Sequence, residues 1–228
     1  MVGIMTETSV PVAPASESGT APGLDAAAAT LADRIRVLLR DGRLNVAKLL
    51  VPALLRMAGE AAEARLLAAE VALAADDFVS AAREAAEAVV KAPERTAAKA
   101  VLGRALLGLG RREAAASCLL DARQGGDREQ ATLVALADAA PGAALDALFA
   151  ALREAPRSAK LYRTTARALL DTGDAAAAAS LCRVAASAGV SDPSLQLMAI
   201  ESAGSVGDWQ EALAICEALE ATTKAANA

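Results

Sequence analysis

A chain of 228 residues has no histidine, an apolar fraction of 55%, only 2% aromatics and a net charge of −5. Without histidine, Ser-His-Asp triads, imidazole metal ligands and imidazole proton shuttles are excluded. Without a basic excess, the electrostatic footprint of a nucleic-acid binder is missing, so no nucleic-acid partner is expected.

Residues 1 to about 27 are rich in Ser, Thr, Pro, Ala and Gly and hold almost no large apolar side chain after Val12. Such a segment cannot bury enough surface to offset its ordering entropy, which predicts a disordered N-terminal tail over 1–27. Met1 to Met5 is short and lacks Lys and Arg, so no secretory signal is read there. From Ala28 onward Leu, Val, Ile and Ala recur at spacings of three and four, which predicts helices of about 12 to 15 residues and an all-α chain. Asp41-Gly42, Gly110, Gly125-Gly126, Pro141-Gly142, Gly173-Asp174 and Gly207-Asp208 punctuate them as turns. Asp192-Pro193 reads as an N-cap followed by proline at the first helical position. The longest nearly apolar run, 131–152, contains Asp138, Asp146 and the Pro141-Gly142 break, so no membrane span is expected. Cys118, Cys182 and Cys216 are odd in number and form no CxxC pair. They read as buried hydrophobes of a reduced compartment, which places the protein in the cytoplasm.

The punctuation is periodic. Each turn leads into a second helix whose inward alanine falls at Ala47, Ala81, Ala115, Ala144, Ala178 and Ala212. The spacing is 34 residues throughout, except for 29 between Ala115 and Ala144, where five residues are lost from the preceding helix and turn. Seven residues later stand Leu54, Ala88, Ala122, Ala151, Ala185 and Leu219. A repeat of paired helices at this period predicts a solenoid over 28–226, with units at about 28–61, 62–95, 96–124, 125–158, 159–192 and 193–226. Small residues belong in these columns because closely packed antiparallel helices need them, and leucine there would overpack by roughly 1–3 kcal/mol.

These columns resemble the tetratricopeptide repeat, whose 34-residue unit has small residues at its eighth, twentieth and twenty-seventh places and proline at its thirty-second. Gly103 matches the eighth, the six alanines the twentieth, Ala88, Ala122, Ala151 and Ala185 the twenty-seventh, and Pro93 and Pro156 the thirty-second. Most of the family's aromatics are Ala, Leu or Arg here, with Phe78, Tyr162 and Trp209 remaining; Pro52 falls inside the second helix of the first unit. An alanine-rich helical-hairpin family of longer period fits less well. The resemblance implies a right-handed superhelix of antiparallel helix pairs whose first helices line a concave groove.

No residue constellation carries catalysis. Asp76-Asp77 reads as a solvated turn and helix start rather than an acid/base dyad. Gly103, Gly108 and Gly110 follow no strand and belong to no phosphate-binding motif. No catalytic residue, cofactor or metal site is expected. By the resemblance, the ninth residue of each unit faces the groove: Arg36, Glu70, Arg104, Leu133, Arg167 and Glu201, with Lys160 and Arg163 beside them in the fifth unit. Three arginines and a local basic cluster could grip the carboxylates of an acidic peptide, and the same charges equally suit ordinary solvated helix faces. The Lys-Asn pairing of the family's chaperone-tail clamp is missing, so chaperone C-termini are not implied. The last unit lacks a separate polar capping helix, which leaves Leu213, Cys216 and Leu219 partly open to a second copy or a docked partner. The chain thus reads as a non-enzymatic scaffold that binds a protein or peptide. The alternatives are an assembly or regulatory subunit of an envelope, secretion or polysaccharide-related machine, and a substrate-positioning module for an enzyme.

Overall fold

The structure, a computed structural model, describes residues 24–226, and the tail expected over 1–27 falls outside them up to residue 23. Helix α1 already begins at Ala26, because the Asp25 side chain accepts from the Ala28 N–H at 2.7 Å and caps it. Twelve helices follow one another among the described residues: α1 (Ala26–Arg40), α2 (Leu44–Ala58), α3 (Ala62–Ala74), α4 (Phe78–Lys91), α5 (Thr96–Gly108), α6 (Arg112–Gln124), α7 (Gln130–Ala139), α8 (Pro141–Glu154), α9 (Ala159–Asp171), α10 (Ala175–Ser187), α11 (Pro193–Ser205) and α12 (Trp209–Ala226). No strand is present among these residues, and no helix is long and apolar enough to cross a membrane.

Local chemistry sets the helix ends. At the Gly173-Asp174 turn the glycine adopts φ +84°, closing α9 with a left-handed residue, and Asp174 then caps α10 by accepting from the Ala177 N–H. Gly207-Asp208 repeats the device between α11 and α12. Asp192 caps α11 by accepting from the N–H groups of Ser194 and Leu195, with Pro193 at the first helical place. Helix α2 runs unbroken through Pro52, which lies on its exposed side.

Each odd helix packs against its even partner, and the even partner against the next odd helix. The column alanines Ala47, Ala81, Ala115, Ala144 and Ala178 have no exposed surface, and Ala212 is 7% exposed. In the second column Leu54, Ala88, Ala122 and Ala185 are buried, whereas Ala151 and Leu219 are half-buried. A β-carbon on Gly103 would lie 2.6 Å from the Leu119 side chain, so only glycine allows α5 and α6 to approach as they do. The buried apolar residues form three clusters rather than one continuous core, within Ala28–Val71, Leu66–Val101 and Ala115–Met198.

Candidate functional site: the inner helix face

Consecutive odd helices touch one another all along the described residues, while among these residues no two even helices come within contact. Elements on the inside of a curved stack are the ones that crowd, so α1, α3, α5, α7, α9 and α11 line the concave side and the even helices the convex one. All the residues expected in the groove lie on these inner helices.

Leu133 is the exception in its role: it is 2% exposed and belongs to the core. The reason is where the five missing residues fall. Helix α7 has 10 residues against 13 in its neighbours α5 and α9, and Ala140 alone links it to α8. The loss therefore lies at the end of α7 and in its turn, and counting back from Ala144 shifts α7 out of register. Counted forward from Arg104 by one period, the groove residue of α7 is Asp138, which the sequence reading missed. With it, the ladder along the inner face becomes Arg36, Glu70, Arg104, Asp138, Arg167, Glu201, and its charge alternates at every step.

The ladder is partly self-neutralised. Arg36 donates to Asp33 on its own helix at 2.8 Å and to Glu63 of α3 at 2.5 Å, and these acids raise its already high pKa. Burial pushes the Glu70 carboxyl above its ordinary value, against the pull of Arg36 and Arg104. Arg163 donates to Asp192 at 3.3 Å, and Arg167 stands 3.9 Å from Glu201. Partial burial likewise raises the Asp138 carboxyl, which shares a recess of about 210 Å³ with Arg163 and Arg167.

Arg104 and Lys160 differ from the other cations of the set, because neither makes an ion pair within the described residues. Both line one recess of about 320 Å³ between α3, α5, α7 and α9. Its apolar wall is Leu73, Phe78, Leu107 and Val134, and Asp76 and Asp138 complete it. The recess offers cationic donors without ion-pair partners beside half-buried apolar side chains, the combination that holds a side chain and a carboxylate of an extended segment. Neither Cys118 nor Cys182 lines this recess; burial pushes the Cys182 thiol up to about 11, and the Cys118 thiol is raised for the same reason.

No family model matches the chain, and no curated protein matches it. Solved structures do. The chain resembles PilW, a type IV pilus biogenesis factor, with a TM-score of 0.72 at 16% identity over 88% of this chain and 95% of that one. It resembles the Pseudomonas aeruginosa pilF product with a TM-score of 0.66 at 19% identity, over 86% and 91%. It resembles YrrB, a protein with an unusual peptide-binding site, with a TM-score of 0.61 at 13% identity, over 73% and 89%. Together with the 34-residue column of buried alanines, these likenesses establish the architecture: the chain has the all-α fold of the tetratricopeptide-repeat proteins.

Proposed function

We propose that the protein is a non-enzymatic scaffold that holds an extended segment of a partner protein along the face made by the odd-numbered helices. The observation that carries this reading is the recess between α3, α5, α7 and α9, where Arg104 and Lys160 stand without ion-pair partners beside an apolar wall. Because the ladder alternates in charge, the partner segment is one with an acidic group at this recess rather than a uniformly acidic run. Three free cysteines favour action in the cytoplasm, where thiols stay reduced. The likeness to two pilus-related proteins supports a second reading of the same groove, in which the held segment belongs to an envelope assembly.

Affinity capture from the native cell tests the proposal, with wild type compared with an Arg104→Glu, Lys160→Glu double variant. Both sites are on the surface, so the variant keeps its helical circular dichroism. The expected result is at least one protein retained by wild type and lost, or weakened tenfold or more, with the variant. Equal retention of every captured protein overturns the groove reading, and the identity of a lost protein separates the cytoplasmic from the envelope role.

A further inference from the structure

The two ends of the solenoid are unlike. At its C-terminal end, positions that are mostly buried or half-buried inside the array stand open. Ala179 of α10 is 5% exposed, and Leu213, one period later on α12, is 60% exposed. Cys182 is buried, whereas its equivalent Cys216 is only half-buried. Trp209 is 71% exposed and Leu197 on α11 is 62% exposed. Inside the array this face is covered by the odd helix of the following unit, as α11 covers α9 and α10. At the N-terminal end, α1 shows the converse. Thr30, Arg34 and Val37 are exposed, while their equivalents on α11, Leu195, Ala199 and Ser202, are covered or half-covered.

Charge decides what fits. Taken unit by unit in the register the structure sets, 28–61, 62–95, 96–129, 130–158, 159–192 and 193–226, the sequence carries net charges of +3, −3, +2, −1, +1 and −4. The first unit has six Lys/Arg against three Asp/Glu, and the last has five Asp/Glu against one Lys. Sign thus alternates across every internal junction, and an even number of units leaves a positive unit at one end and a negative one at the other. The ladder of the inner face does the same, ending on Arg36 and Glu201. Cross-unit pairs already use this alternation, as in Arg36 with Glu63, Arg167 with Glu201 and Arg183 with Glu211.

We infer that the open C-terminal face receives the N-terminal unit of a second copy of this chain, so that the protein associates head to tail. Helix α1 of the second copy takes the place of a thirteenth helix, laying Val37 and the stem of Arg34 against Leu213 and Trp209 and bringing its Arg36 toward Glu201. The contact joins unlike surfaces, so it builds open chains rather than closed pairs. It uses only the two ends of the inner face and leaves the recess at Arg104 and Lys160 free, so its failure would not touch the groove reading.

Sedimentation velocity of the full chain tests it, from a few micromolar to several hundred micromolar in low salt. Mass rising with concentration beyond a dimer, and falling back in molar NaCl, is the expected result. Arg34→Glu blocks the N-terminal face and Leu213→Glu the C-terminal face, and each variant alone is expected to stay monomeric. Mixed one to one they form dimers and nothing larger, since the pair retains one good face of each kind. Circular dichroism and melting check that both variants fold; if Leu213→Glu melts early, Glu201→Arg replaces it. A wild type monomeric throughout overturns the inference, as does a mixture that stays monomeric. Self-association by Arg34→Glu alone also overturns it, because that result means pairing through like ends.

Discussion

At the scale of single residues, the turn between the two helices makes one conformational demand in five of the six units, and one of the five meets it badly. In four units the residue with positive φ is glycine: Gly42, Gly110, Gly173 and Gly207. In the second unit the same place holds Asp76 at φ 55°, where its N–H donates to the Leu73 carbonyl and the Asp77 N–H reaches back to the Ala72 carbonyl. A β-carbon in this region costs energy that glycine avoids, although aspartate tolerates it better than most residues. Glycine also loses more entropy on folding, which takes back part of the gain. Asp76→Gly is therefore expected to stabilise the fold by about 0.5 kcal/mol, a rise of roughly 1–2 °C in the melting midpoint of a chain this size. Asp76→Ala is expected to lower it. A fall for Asp76→Gly in thermal denaturation would show that the Asp76 side chain holds the turn by contacts that outweigh its backbone cost. The turn glycines and the Asp192 cap were legible in the sequence because their effects are local. Gly103 was legible only as a column match; the reason for it, the Leu119 side chain sixteen residues away, needs the packed helices.

At the scale of helices, the loss of five residues was legible in the period, but the side of it on which α7 lies was not. Periodicity could not decide, because the stretch Ala131-Thr-Leu-Val-Ala-Leu-Ala137 is apolar nearly all round and marks no face. That is why Leu133 was placed in the groove and Asp138 was overlooked. Ion pairing between helices was equally hidden, since it depends on which long side chains meet across a junction. Glu84 on α4 is the clearest case. It is 6% exposed and accepts from Arg65 of α3 at 2.7 Å and from Arg83 at 2.8 Å. Burial alone would raise its carboxyl, but the bonds from Arg65 and Arg83 outweigh burial and hold it below its ordinary value. A lowered folded pKa gives stability that is present above the unfolded value, about 4.3, and lost as pH falls through the folded one. Glu84→Gln is expected to cost about 1 kcal/mol at neutral pH, since it leaves Arg83 without its anion and Arg65 with Glu87 alone. The deficit should shrink as pH is lowered from about 5 toward 3, where wild type loses the same charge. Melting both proteins across that range checks the sign, and a deficit constant with pH would mean that packing, not charge, accounts for the loss.

At the scale of the whole molecule, the alternation of unit charge makes an argument that the net charge hides. A chain of net charge −5 with its charges spread evenly would repel itself, and salt would stabilise it by screening that repulsion. Here every junction joins units of opposite sign, and the pairs Arg36 with Glu63, Arg163 with Asp192, and Arg183 with Glu211 lie across or at such junctions. The long-range field between neighbouring units is then attractive, and screening weakens it. Each pair is partly exposed and contributes little alone, but five junctions of one polarity add in the same direction, and a solenoid's stability is a sum over such interfaces. Raising NaCl from about 0.01 M to 0.5 M shortens the screening length from about 30 Å to a few Å, less than the spacing of adjacent helices. The melting midpoint is therefore expected to fall by a few degrees over that range, at a protein concentration low enough to keep the chain monomeric. Reversing the charge of one internal unit, by Arg111→Glu and Arg112→Glu in the third, should flatten or invert the salt response, because the junctions on both sides then join units of weakened or like sign. A midpoint that rises with NaCl in wild type would show that the net charge, not its alternation, governs the fold.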